Sequence, residues 1–154
     1  AGADPVSVYC HEFNPKGSWY KGNAAAVATF EFENGIVFSY RGSWCAEGIN
    51  TSWEADWRVT GSKGSAAWLK TGAPFAEAVV PDAPPKFTRD VVRVEAPFTW
   101  QGREGHDGCL DAMFSALADG RKAETDCTDN IKSVAMVFAA IESAKKGRAV
   151  RITC

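Results

Sequence analysis

The residue pair best suited to acid and base chemistry is His106 with Asp107, in the segment Gly105 to Gly108. An imidazole titrates near neutrality, and an adjacent carboxylate can orient it. The same pair also stands at the start of a predicted helix, where Asp107 complements the helix dipole and His106 lies near the cap. Helix-end chemistry is the stronger interpretation, so the sequence predicts no catalytic residue here.

Two arginines are candidates for ligand binding. Arg41 and Arg58 project from predicted strands among aromatic residues. A guanidinium in such a place can hold a carboxylate or a hydroxyl-rich ligand with two parallel hydrogen bonds. A solvated side chain or a cross-strand ion pair, for instance with Glu54 or Asp56, is the more common use of such a residue.

Aromatic residues stand where they can either contact a ligand or bury area. Trp19 and Tyr20 are adjacent in a turn-rich segment, which suits a lid or a stacking platform, although folding back onto the edge of the core is the more common role. Four tryptophans near predicted strands can stack on sugar rings, but such residues more often belong to a core or a dimer interface. These four are Trp44, Trp53, Trp57 and Trp68.

Several classes of site are missing from the sequence. No strand leads into G-x-G-x-x-G, and neither a G-x-x-x-x-G-K-S/T loop nor a G-x-S-x-G nucleophile elbow occurs. The two histidines, His11 and His106, are far apart and form no zinc-type cluster. A net charge of −2 over 154 residues gives no electrostatic reason to expect nucleic acid or acidic lipid. We therefore predict no catalytic, cofactor-binding or metal-binding residue.

Five cysteines, an odd number without CxxC spacing, favour reduced thiols and a cytoplasmic protein over a disulfide framework. The longest apolar run, Val134 to Ile141, is too short to span a bilayer. The chain opens without Met on turn-like residues, which indicates a piece of a longer protein; removal of the initiator Met is the alternative. The cysteines are Cys10, Cys45, Cys109, Cys127 and Cys154.

The elements that position these residues begin with two hairpins between Asn23 and Leu69. In the first, Asn34-Gly35 predicts a two-residue type I′ turn, which places Phe32 opposite Val37. Both faces then carry bulky apolar groups. We therefore expect helices to cover one face and a partner chain or missing domain to cover the other.

Further strands surround the first hairpin. An entering strand covers Pro5 to Phe13, the second hairpin turns at residues 61–64, and another strand runs from Phe87 to Glu95. Between them, Thr71 to Lys86 holds four prolines and little periodicity, which predicts an irregular excursion. Ala149 to Ile152 predicts a short closing strand.

Two helices are predicted in the last third of the chain. Gly105 to Ala118 has apolar residues at i, i+3, i+4 and i+7, and Gly120 ends it. A second helix begins near Thr128 or Asp129 and ends near Gly147. Its middle is apolar all round, so we expect it to lie on the sheet and to be covered from above. The prediction is one α+β domain over residues 1–154, an open, predominantly antiparallel twisted sheet with two long helices packed on one face.

Five blocks of sequence resemble the C-terminal domain of the Gfo/Idh/MocA oxidoreductases. Each block is short, but their order and spacing cover nearly the whole chain and are specific as a set. The blocks are Asn34–Trp44, Trp57–Gly64, Gly105–His106, Asp129–Met136 and Gly147–Ile152.

The resemblance implies an enzyme with an N-terminal Rossmann domain that binds NAD or NADP, followed by this domain. Hydride would pass between the nicotinamide and a sugar, cyclitol or related polyol. The open sheet would line the substrate pocket and pack against another subunit in a homo-oligomer. The family's glycine-rich fingerprint, its Glu-Lys-Pro lysine, and the Asp and His of its preceding helix belong upstream of Ala1. No catalytic or cofactor-binding residue carries over, so this chain would bind no cofactor and be inactive alone.

The residues expected nearest to a substrate pocket are chosen by loop or strand position and not by a family motif. They are Trp19, Tyr20, Arg41 and Trp44. Two other interpretations stay open at this stage. One is a self-sufficient α+β module that holds an apolar or sugar ligand without chemistry, and the other is a purely structural oligomerisation domain.

Overall fold

Eight strands and two helices make up the described part of the computed structural model, residues 2–82, 84 and 86–154. Contacts divide these residues into two compact units. The first unit consists of the described residues up to Ala46 together with Arg103–Cys154, and the second unit consists of the described residues of Glu47–Gly102. In chain order the elements are β1 (Pro5–Phe13), β2 (Ala25–Phe32), β3 (Val37–Ser43), β4 (Trp57–Gly61), β5 (Gly64–Trp68), β6 (Phe75–Val79), β7 (Val91–Glu95), α1 (Gly105–Ala118), α2 (Cys127–Lys146) and β8 (Val150–Arg151).

The first unit contains a four-stranded antiparallel sheet in the order β3-β2-β1-β8. In β1, which has the predicted bounds, Val8 lies opposite Phe30 of β2 and Cys10 lies opposite Ala28. All four side chains are buried, and Ala139 of α2 completes the cluster. The core of this unit therefore lies between α2 and one face of the sheet.

The register of β2 and β3 corrects the sequence prediction by one residue. Phe30 lies opposite Phe38, because the loop holds three residues, 33–35, and not two. The Gly35 N–H donates to the Phe32 carbonyl oxygen at 2.9 Å, and Gly35 adopts a φ of 79°. A three-residue hairpin loop with glycine in this left-handed conformation is a common alternative to the type I′ turn.

The corrected register changes how side chains are divided between the two faces. Phe30, Phe32 and Phe38 share the face that α2 covers, and Phe30 and Phe38 stack with ring centroids 5.9 Å apart. A one-residue change of register moves a whole side-chain set to the other face, so the predicted division of aromatics between both faces was wrong. The opposite face is exposed and mixes Tyr9 and Val27 with polar residues.

Both helices end as predicted, and α1 also begins as predicted. α2 begins at Cys127, slightly earlier than expected, because Asp126 is the N-cap and accepts a hydrogen bond from the Thr128 N–H at 2.9 Å. Gly147 ends the helix with a φ of 63°, a conformation that favours glycine. α1 buries Ala116 and leaves four large apolar side chains substantially exposed: Leu110, Met113, Phe114 and Leu117.

A buried serine joins α2 to the edge of β1. Ser143 is 0% exposed. Its Oγ accepts a hydrogen bond from the Cys10 N–H at 2.9 Å, and its hydroxyl donates to the Arg148 carbonyl oxygen at 2.7 Å. The serine thus satisfies a strand N–H beyond the residues that β8 pairs, Ser7 and Val8.

The second unit contains an antiparallel sheet in the order β4-β5-β6-β7. The β4–β5 turn has the predicted position, with Gly61 opposite Gly64. β6 was not predicted, because it lies inside Thr71–Lys86, where prolines flank the strand and alanine side chains are too small to give a clear alternation. β7 begins at Val91, later than predicted, after turn residues.

One face of the second sheet is entirely apolar and the other is largely polar or charged. The apolar face of the second sheet consists of Trp57, Val59, Ala66, Trp68, Ala76, Ala78, Val92 and Val94. None of the residues that the structure describes between Glu47 and Gly102 is fully buried. The predicted α+β class is confirmed, with its strands in two four-stranded sheets where the sequence analysis had expected the two hairpins to share one.

Candidate functional site

One end of the first sheet gathers the segments that carry the predicted pocket residues. β1 ends there and β2 begins there, joined by residues 14–24. β3 ends at the same place, since the Trp44 N–H donates to the Ala24 carbonyl oxygen at 2.8 Å and the Ala24 N–H donates to that of Phe13 at 3.2 Å. The topology thus places at one end of the sheet all four predicted residues, Trp19, Tyr20, Arg41 and Trp44.

The loop between β1 and β2 holds its two aromatic residues in a defined arrangement. The rings of Trp19 and Tyr20 lie 4.4 Å apart between centroids, with planes inclined by 36°. The Tyr20 backbone is fixed on both sides, since its N–H donates to Ser18 Oγ at 3.1 Å and its carbonyl accepts from Asn14 Nδ2 at 2.9 Å. Trp19 is 80% exposed, so its indole lies outside the core.

Arg41 lies on the exposed face of the first sheet, in a row that crosses three strands. It stands opposite Val27 of β2, which stands opposite His11 of β1. Within its own unit, as far as the structure describes it, Arg41 forms no ion pair. The guanidinium is therefore not committed to a neighbouring carboxylate there.

Several residues that the sequence analysis passed over share this face. Tyr9, Thr29 and Ser39 form the next row across the sheet, and the His11 ring stacks on Phe13 with centroids 5.8 Å apart. These side chains supply hydroxyl and imidazole groups beside an arginine, which suits a hydrogen-bonding ligand. Only the strand register reveals them, and the register required the correct hairpin loop length.

His106 and Asp107 occupy the first turn of α1, and the predicted helix-end position of Asp107 is confirmed. Arg103 Nε donates to Asp111 Oδ2 at 2.7 Å, and Arg103 lies 3.6 Å from Asp107. The hydrogen bond from Arg103 holds the pKa of Asp111 below its usual range. The arginine thus ties the segment before α1 to the helix, and His106 is exposed beside it.

Two further predictions concern an arginine and the tryptophans of the second unit. Asp56 Oδ1 accepts the Lys70 backbone N–H at 2.7 Å, and Arg58, a cross-strand neighbour of Ala67, forms no ion pair among the described residues of its unit. The suggested pair of Arg58 with Asp56 was therefore wrong, whereas the solvated side chain, the other expected use, agrees with the exposed position of Arg58. Trp57 lies directly opposite Trp68 on the apolar face.

All five cysteines are free. Burial raises the pKa of the Cys10 thiol, and the negative charge of Glu12 adds to this, so its reactive thiolate is disfavoured. Among the residues that the structure describes, no three His, Cys, Asp or Glu side chains are grouped as metal ligands. None of the described helices has the length and apolar character needed to cross a membrane.

Comparison with known proteins identifies the family. The sequence model described as "Oxidoreductase family, C-terminal alpha/beta domain" matches residues 1–152. The chain therefore belongs to the Gfo/Idh/MocA oxidoreductase family, of which it is a C-terminal domain. This confirms the resemblance that the five sequence blocks indicated.

The relatives are longer than this chain. An uncharacterized protein of Sinorhizobium fredii, y4oX, is 31% identical over 158 residues that span 99% of this chain and 42% of that protein. The aldose-aldose oxidoreductase from Caulobacter crescentus, complexed with glycerol, has a TM-score of 0.72 at 17% identity, over 98% of this chain and 42% of its own. Levoglucosan dehydrogenase, in complex with NADH and levoglucosan, has a TM-score of 0.72 at 17% identity, over 98% and 46%. The chain spans less than half of each.

Proposed function

We propose that residues 1–154 are the substrate-side and assembly domain of an NAD(P)-dependent oxidoreductase that acts on a sugar, cyclitol or related polyol. The observation that carries the proposal is membership of the oxidoreductase family as its C-terminal domain. The sugar and nicotinamide ligands of the structural neighbours support the substrate and cofactor classes. The nicotinamide would bind to a preceding Rossmann domain and not to this chain. The free thiols suit the cytoplasm.

The end of the first sheet is the proposed wall of the substrate pocket. The exposed Trp19 indole can stack on the C–H face of a sugar ring, with Tyr20 and Trp44 as further aromatic surface. Arg41, which has no carboxylate partner in its unit, can donate to two hydroxyl groups at once. The chain then contributes binding and orientation, while hydride transfer belongs to the cofactor.

The apolar face of the second sheet is the proposed subunit interface. Its members are all apolar, and Val59 is 61% exposed. The reverse face carries Arg58, Glu77, Arg93 and Glu95, which suits water. An exposed apolar sheet face suits an interaction site, and self-association would give the homo-oligomer expected from the resemblance.

Enzyme assays of the longer protein test the catalytic proposal. The protein encoded by the complete gene, with the region upstream of Ala1, is expected to reduce NAD or NADP with a polyol, whereas the 154-residue chain binds neither nucleotide. Arg41→Leu should raise KM for the polyol by about tenfold or more, because hydrogen bonds to a charged group contribute about 1.5–3 kcal/mol. KM for the nucleotide should stay unchanged. The matched variant Arg58→Leu, in the other unit, should leave both values unchanged.

Light scattering tests the interface. Val59→Glu places a charge on the apolar face of the second sheet and should convert the oligomer to monomer. Thr60→Glu, the next residue on β4, places the same charge on the reverse face and should leave the oligomer intact. A strictly monomeric unmodified protein, or loss of the oligomer in both variants alike, contradicts this assignment.

A further inference from the structure

The second sheet has an open edge at β7. This strand is the last in the order β4-β5-β6-β7, and among the residues that the structure describes it pairs only with β6. Its residues, Val91–Glu95, are all exposed and include neither proline nor lysine. Proline and lysine are residues with which proteins commonly keep an edge strand from pairing further. The sequence of β7 therefore leaves this edge able to accept another strand.

The hydrogen bonds to β6 determine which backbone groups of β7 are open. The Ala96 N–H, one residue beyond the strand, donates to the Pro74 carbonyl oxygen at 3.0 Å. In an antiparallel ladder, residues that bond to the neighbouring strand alternate with residues whose backbone groups point away from it. Val94 therefore bonds to β6, as Ala96 does. The N–H and C=O groups of Arg93 and Glu95 point outward along the open edge.

Among the edge strands of the two described sheets, only β7 carries charges of both signs. The other edge strands, β3, β4 and β8, each have an arginine and no acidic residue. Arg93 and Glu95 form an ion pair on the reverse face of the second sheet, where the Arg93 guanidinium also lies 4.0 Å from the centroid of the Phe75 ring. Both charged side chains are more than half exposed, so each can take a further partner.

A second copy of β7 can pair with this edge in antiparallel orientation about a two-fold axis, and the residue on the axis sets the register. With Val94 on the axis, Arg93 lies opposite Glu95 of the second copy. The two residues then exchange both of their outward backbone hydrogen bonds and form a cross-strand ion pair. With Arg93 on the axis, two like charges lie opposite each other, and with Val92 on the axis, Arg93 lies opposite Val91. Charge complementarity therefore selects the register centred on Val94.

We propose that β7 pairs with β7 of a second copy, antiparallel and centred on Val94, so that two four-stranded sheets form one continuous sheet. Arg93 and Glu95 of both copies then form a ring of alternating charge on the reverse face. A contact through one strand of each copy is small and weak by itself, so it extends the association through the apolar face and does not replace it. The inference goes beyond the proposed function, since it concerns a second contact between copies and not the reaction.

Disulfide trapping tests the register. The axis residue forms a non-hydrogen-bonded pair with its own copy, with Cα atoms about 4.5 Å apart, a distance that a disulfide can bridge. Mild oxidation of Val94→Cys in the protein from the complete gene should therefore link residue 94 of two copies, as identified by mass spectrometry of non-reduced peptides. Val92→Cys is equally exposed on the same face, but it lies about 13 Å from its own copy in this register. Its disulfide should form roughly tenfold more slowly.

Charge reversal tests the ion pairs. In the Val94→Cys protein, Arg93→Glu places a carboxylate opposite Glu95 of the second copy and should slow the disulfide roughly tenfold, because like charges opposite each other destabilise a strand pair. Adding Glu95→Arg exchanges the two charges and should restore the rate to within about twofold. Arg58→Glu, on the reverse face of β4 at the other edge, should leave the rate unchanged.

A Val92→Cys disulfide that forms as fast as that of Val94→Cys overturns the proposal, as does the absence of a disulfide in both variants. A double charge variant that stays as slow as Arg93→Glu alone also overturns it. The enzyme assay separates these failures from that of the proposed function. Polyol oxidation without the Val94→Cys disulfide refutes only the edge contact, whereas the disulfide without polyol oxidation refutes only the catalytic assignment.

Discussion

The two sheets of this protein have four antiparallel strands each, yet among the residues that the structure describes only those of the first unit form a buried core. In the first unit, Val8, Phe30 and Ala139 lie under α2 and are almost fully buried. In the second unit, Val59, Val92 and Val94 lie on a sheet face that no described helix of that unit covers, and all three are exposed. The alternation of apolar residues thus predicts which face of a strand is to be buried, but it does not predict which element or partner buries it.

The comparison predicts that the same truncation has different effects in the two sheets. Phe30→Ala should destabilise the first unit by about 3–5 kcal/mol, because it removes a buried ring from the core. Phe75→Ala should cost less than half as much, since Phe75 is only half-buried. Urea unfolding followed by circular dichroism measures both values. Equal losses would show that the second sheet has an internal core after all.

The next largest effect is expected at the contact between α2 and β1. Ser143→Ala leaves the Cys10 N–H and the Arg148 carbonyl without their buried partner, which should cost about 1–3 kcal/mol. Ser39→Ala, on the exposed face of the same sheet, should stay within about 0.5 kcal/mol. Thermal unfolding of the two variants provides the measurement. A silent Ser143→Ala would mean that water replaces the hydroxyl.

The two hairpin turns should also respond differently. Gly35→Ala forces a side chain into a left-handed conformation and should cost about 1–2 kcal/mol. Lys63→Ala, in the two-residue turn of the second sheet, should have little effect, since Lys63 has no positive φ. Urea midpoints of the two variants distinguish them. Similar midpoints would contradict the left-handed conformation of Gly35.

The smallest effect concerns pH. Hydrogen bonds from Thr128 hold the pKa of Asp126 below its ordinary value of 3.8. The ionised cap therefore stabilises α2 fully above that value, and the contribution is lost as pH falls through the lower pKa of the folded state. Asp126→Ala should lower the thermal midpoint at neutral pH, and the difference from the unmodified protein should vanish in strong acid. Glu124→Gln, on the connection before the cap, should show no such pH dependence.

Most of the fold could be predicted from local sequence patterns. β1 and α1 have the predicted bounds because alternation and helical periodicity are strong in both segments, and α2 ends at Gly147 as expected. The first hairpin register failed because Asn34-Gly35 suits both a two-residue and a three-residue loop, and no local signal separates them. The sequence analysis did not predict β6, because alanines form one face of this strand and give only a weak alternation.

The candidate site could be predicted from the sequence only in part. Trp19, Tyr20 and Trp44 were chosen by position, and the topology places the two segments that carry them at one end of the first sheet. His11 and Tyr9 were missed because sharing a face with Arg41 is a long-range property of three paired strands. Long-range strand pairing depends on loop lengths, so an error of one residue in the length of a turn assigns the wrong residues to each face of the sheet.

The Ser143 bridge also has a consequence for solubility. A strand edge with free backbone groups is a template on which foreign strands can grow into aggregates. Since β8 pairs with only two residues of β1, the hydroxyl of Ser143 caps the next open donor, that of Cys10. The helix thereby blocks this part of the β1 edge, where an open N–H could otherwise pair with a foreign strand.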